Sequence, residues 1–341
     1  MTCISVAMAT YNGERFIEEQ LESLSAQTTF PVELHIGDDG STDATEDIVR
    51  QFARNAPFPV HFRRNQVRLG FGENFIQTAL GCSGEWVAFC DQDDVWLPTK
   101  LERCVEEIAH GPADLALIAH NATITDAHLR RTGALYKYPA RKLTSALGLP
   151  PEWYCIGATQ VFRANLLCGI PCDRRVSFPW HSHREAHDVW VALIANCTGS
   201  ILRLNDELIR YRRHDMTVTG DSAAQAHWLS FLADKSSDYA ARASYLQEVA
   251  SILTECAASS PISATKLNHA AKEIGIQADF LDARAAAYHG TTRKRIAEIT
   301  RLFRRGGYTG TCGWPFGWKR LMMDVLSAST PLSKLTRPAD S

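Results

Sequence analysis

Short apolar runs alternate with amphipathic stretches through the first 109 residues. Cys3–Met8 reads as a strand, and Arg15–Gln27 as a helix with Ile17, Leu21 and Leu24 on one face. Val32–Ile36 is a second strand, and Ala44–Asn55 a helix with Ile48, Val49 and Phe52 inward and Ser41 or Thr42 as its cap. Val60–Phe62, a helix over Phe75–Gly81, and the strand Trp86–Cys90 follow. The last is apolar almost without a break, as a parallel strand buried on both faces must be. This alternation predicts an α/β, doubly wound sheet flanked by helices, with ligands gathered at the carboxyl ends of its strands.

Beyond it, Leu115–Ala119 and Cys155–Phe162 resume the sheet, and Ile201–Leu204 with Leu208–Tyr211 reads as a strand pair. Residues 126–153 have poor periodicity and read as an insertion. After Ala223 the spacing of Trp228, Leu232, Leu246, Val249, Leu253, Leu267, Ile274 and Leu281 becomes helical, enough for about three helices. The expected division is 1–222, in halves 1–109 and 110–222, then a helical C-terminal region 223–330 and a tail 331–341.

Composition narrows the classes. With 45% hydrophobic and 22% charged residues in 341, the chain has the balance of a soluble globular protein. A formal charge of −2 and the lack of finger or RNA-binding motifs argue against nucleic acid as a partner. No long uncharged apolar run and no secretory pattern is present, so a cytoplasmic chain is expected. Ten cysteines are scattered, several in apolar runs, and read as core thiols of a reducing compartment. The close pair Cys168 and Cys172 has no further ligand at zinc spacing.

The candidate chemistry sits where strands should end. Trp86–Cys90 stops at Asp91-Gln92-Asp93-Asp94, and Asp91 and Asp93 can turn to one side and hold a magnesium or manganese ion. Two other strand ends carry Thr10-Tyr11-Asn12 and Asp38-Asp39. No Gly-x-Gly-x-x-Gly follows the first strand and no P-loop lysine motif is present, so neither a dinucleotide nor a triphosphate is the expected ligand. The acidic loops fit a nucleotide diphosphate sugar better.

Taken in order, Thr10-Tyr11-Asn12-Gly13, Asp38-Asp39-Gly-Ser-Thr-Asp43 and Asp91-Gln-Asp93-Asp94-x-Trp96 resemble the inverting glycosyltransferases of family two, with the GT-A fold, over about residues 3–220. The resemblance implies that Tyr11 stacks on the base, Asp39 hydrogen-bonds it, Arg68 lies near the diphosphate, and Asp93 is the main metal ligand beside Asp91. Thr10, Asn12, Asp38, Asn74 and Gln92 complete the donor side. It places the general base at Asp188 of His187-Asp188, where the residues alone read as a helix cap. Residues 126–153 and Gly157-Ala158 then line the acceptor, a saccharide or lipid-linked saccharide. Tyr211-Arg212-Arg213-His214 resembles the basic loop of rhamnose-transferring members, with Arg212 and His214 on the diphosphate. It departs from them at Arg213 and Asp215-Met-Thr217. Trp96 and Trp190 are the expected apolar wall for the C6 methyl of dTDP-L-rhamnose, with a UDP-hexose as the alternative donor. His181, His183 and His187 read as solvated rather than as metal ligands.

Two other classes compete: a nucleotidyltransferase, which should show a Gly-rich loop with Lys or Arg after the first strand, and a non-catalytic sugar-nucleotide sensor. Residues 293–323 combine Arg293-Lys-Arg295 and Arg301–Arg305 with Trp314 and Trp318. That pattern suits peripheral contact with an anionic membrane or, equally, packing on the enzyme or in a homo-oligomer.

Overall fold

The computed structural model describes residues 3–138, 140–176, 186–215, 235–308, 317, 321–322 and 324–325. Its centre is one mixed ten-stranded sheet. The strands are β1 (Ile4–Thr10), β2 (Glu33–Asp38), β3 (Val60–Arg64), β4 (Trp86–Asp91), β5 (Val95–Trp96), β6 (Leu115–Thr125), β7 (Arg131–Ala134), β8 (Arg141–Thr144), β9 (Gln160–Arg163) and β10 (Ser200–Arg212). The order is β3-β2-β1-β4-β9-β6-β10-β5, with β7 on β6 and β8 on β10. β1 pairs in parallel with both β2 and β4, so the chain reverses direction across the sheet at β1. The crevice at such a reversal, outside the strand carboxyl ends, is where α/β sheets bind ligands. β9 runs antiparallel between β4 and β6.

Alternation along β1 and β4 builds two cores. Val6, Met8, Trp86, Ala88 and Cys90 face the side covered by α1 (Ile17–Ser25), α2 (Thr45–Ala53) and α4 (Lys100–His110). Ala7, Ala9, Val87 and Phe89 face α3 (Phe71–Ala79), the short α5 (Asn165–Gly169) and α6 (His187–Thr198). Every residue of α6 except Asp188 is buried. A helix apolar all round needs cover on its far side as well. The helices α7 (Lys235–Cys256) and α8 (Ala264–Ala287) supply it, with Tyr245, Leu246, Val249, Leu267 and Ile274 in the same cluster as Trp190 and Leu193. The C-terminal helices are thus a third layer on a shared core, and the expected boundary at 222 lies outside the described residues.

Several expectations are corrected. Ile201–Leu204 and Leu208–Tyr211 form one long strand, because Asn205-Asp206 makes an irregularity in the pairing with β6 rather than a turn. Cys155–Phe162 begins with a 3-10 turn at Gly157–Thr159 before β9. Residues 126–153 contain β7 and β8, short edge strands whose period is too brief to read. Neither Ser41 nor Thr42 caps α2; the Asp43 carboxylate takes the Thr45 amide at 3.1 Å, while Ser41 turns to Asp38.

Candidate active site

The loops after β1 and β2 lock together. Asn12 adopts a left-handed φ of 47°, which Asn tolerates. Its amide donates to Ser41 Oγ at 2.8 Å, and its Oδ1 accepts the Thr42 amide at 2.8 Å. Asp38 is fully buried and accepts from the Gly40 and Ser41 amides and the Ser41 hydroxyl. Thr10 Oγ1 donates to Gln92 Oε1 at 2.6 Å, and the Tyr11 amide donates to the same oxygen at 3.0 Å. A Cβ on Gly13 would lie 2.3 Å from that oxygen, so the clasp between β1 and β4 needs glycine there. Buried Asn74 donates to Gly37 O and accepts from Asn65. Thr10, Asn12, Asp38, Asn74 and Gln92, all expected on the donor, therefore spend these polar groups aligning the strand ends.

What they align is a corner made by Tyr11, Asp39 and Arg68. Tyr11 is exposed on the crevice, and the Arg68 guanidinium lies 3.9 Å from its ring centroid. Buried Asp39 accepts the amides of Leu69 at 2.7 Å and Gly70 at 2.8 Å and the Asn65 side chain at 3.0 Å. In this conformation the 65–70 loop sits on both groups expected to hold a base.

At the end of β4 the acidic run divides. Asp91 and Asp94 are pushed well up from the carboxylate range, chiefly by burial, then by Asp93 and Asp188 for Asp91 and by Asp93 and Asp91 for Asp94. Asp94 is fully buried and takes the Arg212 amide at 2.9 Å. Asp93 Oδ2 lies 2.7 Å from His214 Nε2, and the His214 ring packs on Phe16. Crowded carboxylates with too little compensating charge, all hard oxygen donors, fit a magnesium or manganese ion held by Asp91 and Asp93.

Asp188 opens α6 across the crevice. Its Oδ2 accepts the Gly157 amide at 3.1 Å and Oδ1 its neighbour's amide, Val189, at 2.9 Å. Burial raises its carboxyl to about 6, these amides offsetting part of the rise. Gln160 fixes the turn by donating to Asp188 O at 2.9 Å and to Cys155 O. His187, expected in solvent, is buried, stacked 4.0 Å from Phe75 and edge-on to Phe89. A Cβ on Gly157 would lie 2.5 Å from its Nε2, so glycine lets the turn reach the helix start. Burial lowers the imidazole to about 3 and keeps it neutral.

Two expected roles change. Arg212 is buried, its guanidinium donating to Asp93 O, Ala127 O and the Glu19 carboxylate over the Phe16 ring. It rivets β10 beneath the acidic loop instead of reaching for a diphosphate. Trp96 and Trp190 are both buried, in the two opposite cores, and cannot form one wall around a sugar. His181, His183, Thr217 and Trp314 lie outside the described residues. One residue went unseen in the sequence. Lys100, fully buried, donates to Ala158 O at 2.9 Å and lies 3.3 Å from the Trp96 ring centroid, and burial lowers its ammonium to about 8. In an amphipathic helix a first-turn lysine looks solvated, and only the long loop docking shows otherwise.

Residues 5–168 match the model of the glycosyl transferase family 2. Among curated relatives, an uncharacterized glycosyltransferase of Nostoc sp. is 38% identical over 125 residues, 36% of this chain and 37% of that protein. The dTDP-rhamnosyl transferase RfbG of Shigella flexneri is 35% identical over 103 residues, 29% of this chain and 36% of that one. The matched stretch thus spans little more than a third of these relatives. Among solved structures, S. aureus TarS 1-349 in complex with UDP-GlcNAc superposes with a TM-score of 0.51 at 20% identity, over 91% of this chain and 93% of that one. The sheet with its flanking helices is a GT-A fold, and the stretch from β1 into α5 is similar to the glycosyl transferase family 2.

Proposed function

We propose that the chain is a metal-dependent, inverting glycosyltransferase that moves a sugar from a nucleotide diphosphate to a saccharide or lipid-linked saccharide in surface-polysaccharide synthesis. The observation that carries this reading is the crevice itself. Tyr11 and Asp39 stand on one side, Asp91 and Asp93 in the middle, and Asp188 across from them, close enough that Asp93 and Asp188 both raise Asp91. A cation held by Asp91 and Asp93 would neutralise charge appearing on the leaving diphosphate. Asp188 takes the proton of the acceptor hydroxyl, and a carboxyl near 6 is mostly ionised at neutral pH yet basic enough to do so. Tyr11 receives the base on its ring, Asp39 accepts its ring N–H, and Arg68 swings from Tyr11 toward the diphosphate as the 65–70 loop yields. His214 stays on the diphosphate side beside Asp93.

For the donor we infer dTDP-L-rhamnose, supported by the loop motifs and the name of the RfbG relative. The UDP-hexose alternative draws on the UDP-GlcNAc complex of TarS. With both tryptophans in the cores, discrimination at C6 falls to other side chains lining the crevice. A donor-hydrolysis panel tests the reading: dTDP-rhamnose should be consumed faster than UDP-glucose, UDP-galactose or UDP-GlcNAc. Consumption of UDP-sugars alone replaces the donor and keeps the transferase. Tight binding with no hydrolysis or transfer favours the sensor class.

Among the described residues no helix is long and apolar enough to cross a membrane. The helix α9 (Thr292–Arg304) packs back through Ile299 and Leu302, leaving Ile296 and Phe303 exposed among basic residues. Peripheral contact with an anionic bilayer on the cytoplasmic side is proposed for this face. Salt-sensitive co-sedimentation with anionic vesicles, lost on deleting 293–323, checks it.

A further inference from the structure

A second cluster of ligand-type side chains stands at the amino ends of β1, β2 and β4, the opposite end of the sheet from Asp91. Glu33 is buried there, and its Oε1 accepts from Ser5 Oγ at 2.8 Å, the Ser83 amide at 2.6 Å and Ser83 Oγ at 2.8 Å. Those three bonds fix the carboxylate and aim Oε2 at two imidazoles. His35 Nε2 is 3.1 Å away and His61 Nε2 3.5 Å. The two histidines are register partners on β2 and β3, and their rings stack at 4.4 Å. His35 Nε2 is buried, with the Glu33 carboxylate facing it. Cys82, a free thiol just after α3, completes the group: one ligand atom each from Glu33, His35 and Cys82 lie within 4.8 Å of one another.

The donor set selects the ligand. Magnesium and calcium take oxygen, whereas imidazole, thiolate and one carboxylate suit a borderline ion of the zinc class. Tetrahedral zinc places its ligand atoms about 3.3–3.8 Å apart, so the Glu33–His35 pair is already near that spacing and the thiol has at most about 1.5 Å to close. The three bonds on Glu33 Oε1 are the outer contacts that orient a ligating carboxylate. A pocket of about 360 Å³ lined by His35, His61, Gln77, Thr78 and Gly81 gives a way in from solvent.

We propose that Glu33, His35 and Cys82, with His61 as fourth ligand, form a zinc-class site that ties the end of α3 to β2 and β3. The site is separate from the catalytic carboxylates and does not depend on the proposed transfer. Cobalt(II) titrated into the metal-free full chain tests it, since thiolate ligation gives a near-ultraviolet sulfur-to-metal charge-transfer band. The band should appear with one equivalent, persist in Asp93→Ala and vanish in Cys82→Ser. Zinc should raise the melting temperature of the wild type and of Asp93→Ala, and bind His35→Ala at least tenfold more weakly. Circular dichroism of Cys82→Ser shows whether it folds; should it not, the His35→Ala affinity decides alone. No band, a band that survives in a folded Cys82→Ser, or equal zinc affinity in His35→Ala overturns the proposal.

Discussion

The two ends of the central sheet treat buried carboxylates in opposite ways. At the amino end burial pushes Glu33 up, but the Ser83 amide, the Ser5 and Ser83 hydroxyls and His35 outweigh it and bring it down to about 2. At the carboxyl end Asp91, Asp94 and Asp188 are pushed up, because burial, joined at Asp91 and Asp94 by neighbouring carboxylates, exceeds what Lys100 and a few amides return. Both ends bury acids, so burial alone does not mark a catalytic site. The difference lies in whether the protein's own donors finish the job. An acid left short of donors is poised to take a proton, and one well supplied with them is held ionised.

The sharpest way to break this contrast is Asp188→Asn. Turnover should fall by about 100-fold or more while donor affinity, read by calorimetry, changes only a few-fold. Equal losses would return Asp188 to the role of a helix cap. Asp93→Ala should weaken manganese-dependent nucleotide binding by at least about tenfold, since the diphosphate would then face acidic residues with a poorer cation site. Binding that manganese still enhances fully in the variant rejects the metal assignment.

The pH dependence separates the ends without mutation. As the proposed base, Asp188 would work when ionised, so turnover should rise about tenfold per pH unit below its value near 6 and level off above it. Glu33 runs the other way in stability. Its folded pKa is depressed, so its contribution is present above the ordinary glutamate value of 4.5 and is lost as pH falls toward 2. Glu33→Gln should flatten the acid limb of urea-unfolding stability in that window and leave the turnover profile in place. An unchanged acid limb rejects the assignment. The smallest effect on turnover is expected at Lys100→Met. Losing the donor to Ala158 O should cost about 2 kcal/mol in denaturant unfolding, with a modest drop in turnover through the loosened Gly157–Thr159 turn. A stability change near zero would place Lys100 outside the support of the acidic loop.

The sequence carried the first 109 residues well because strand and helix there have different hydrophobic periods and each strand end is marked by a polar cluster. β1, β2 and β4 lie within two residues of their expected bounds for that reason. α3 starts a turn earlier than its apolar pattern, since Phe71–Asn74 turns helical after Gly70 takes a φ of 82°. Asn205-Asp206 reads as a turn in sequence and is an irregularity in a long strand, because pairing with β6 outweighs local preference.

The sequence by itself determined the alternation that makes a doubly wound sheet, and with it the position of Tyr11, Asp39, Asp91 and Asp188 at helix starts and strand carboxyl ends. These follow from local periodicity and turn chemistry, which act over a few residues. The tertiary structure alone decided which polar groups face the crevice and which are consumed in alignment. Asn12 meets Ser41, Gln92 meets Thr10, Arg212 meets Glu19 across 193 residues, and Trp96 and Trp190 go to opposite cores. A side chain's partner depends on what long-range packing brings within 3 Å of it, and neither residue type nor spacing along the chain encodes that.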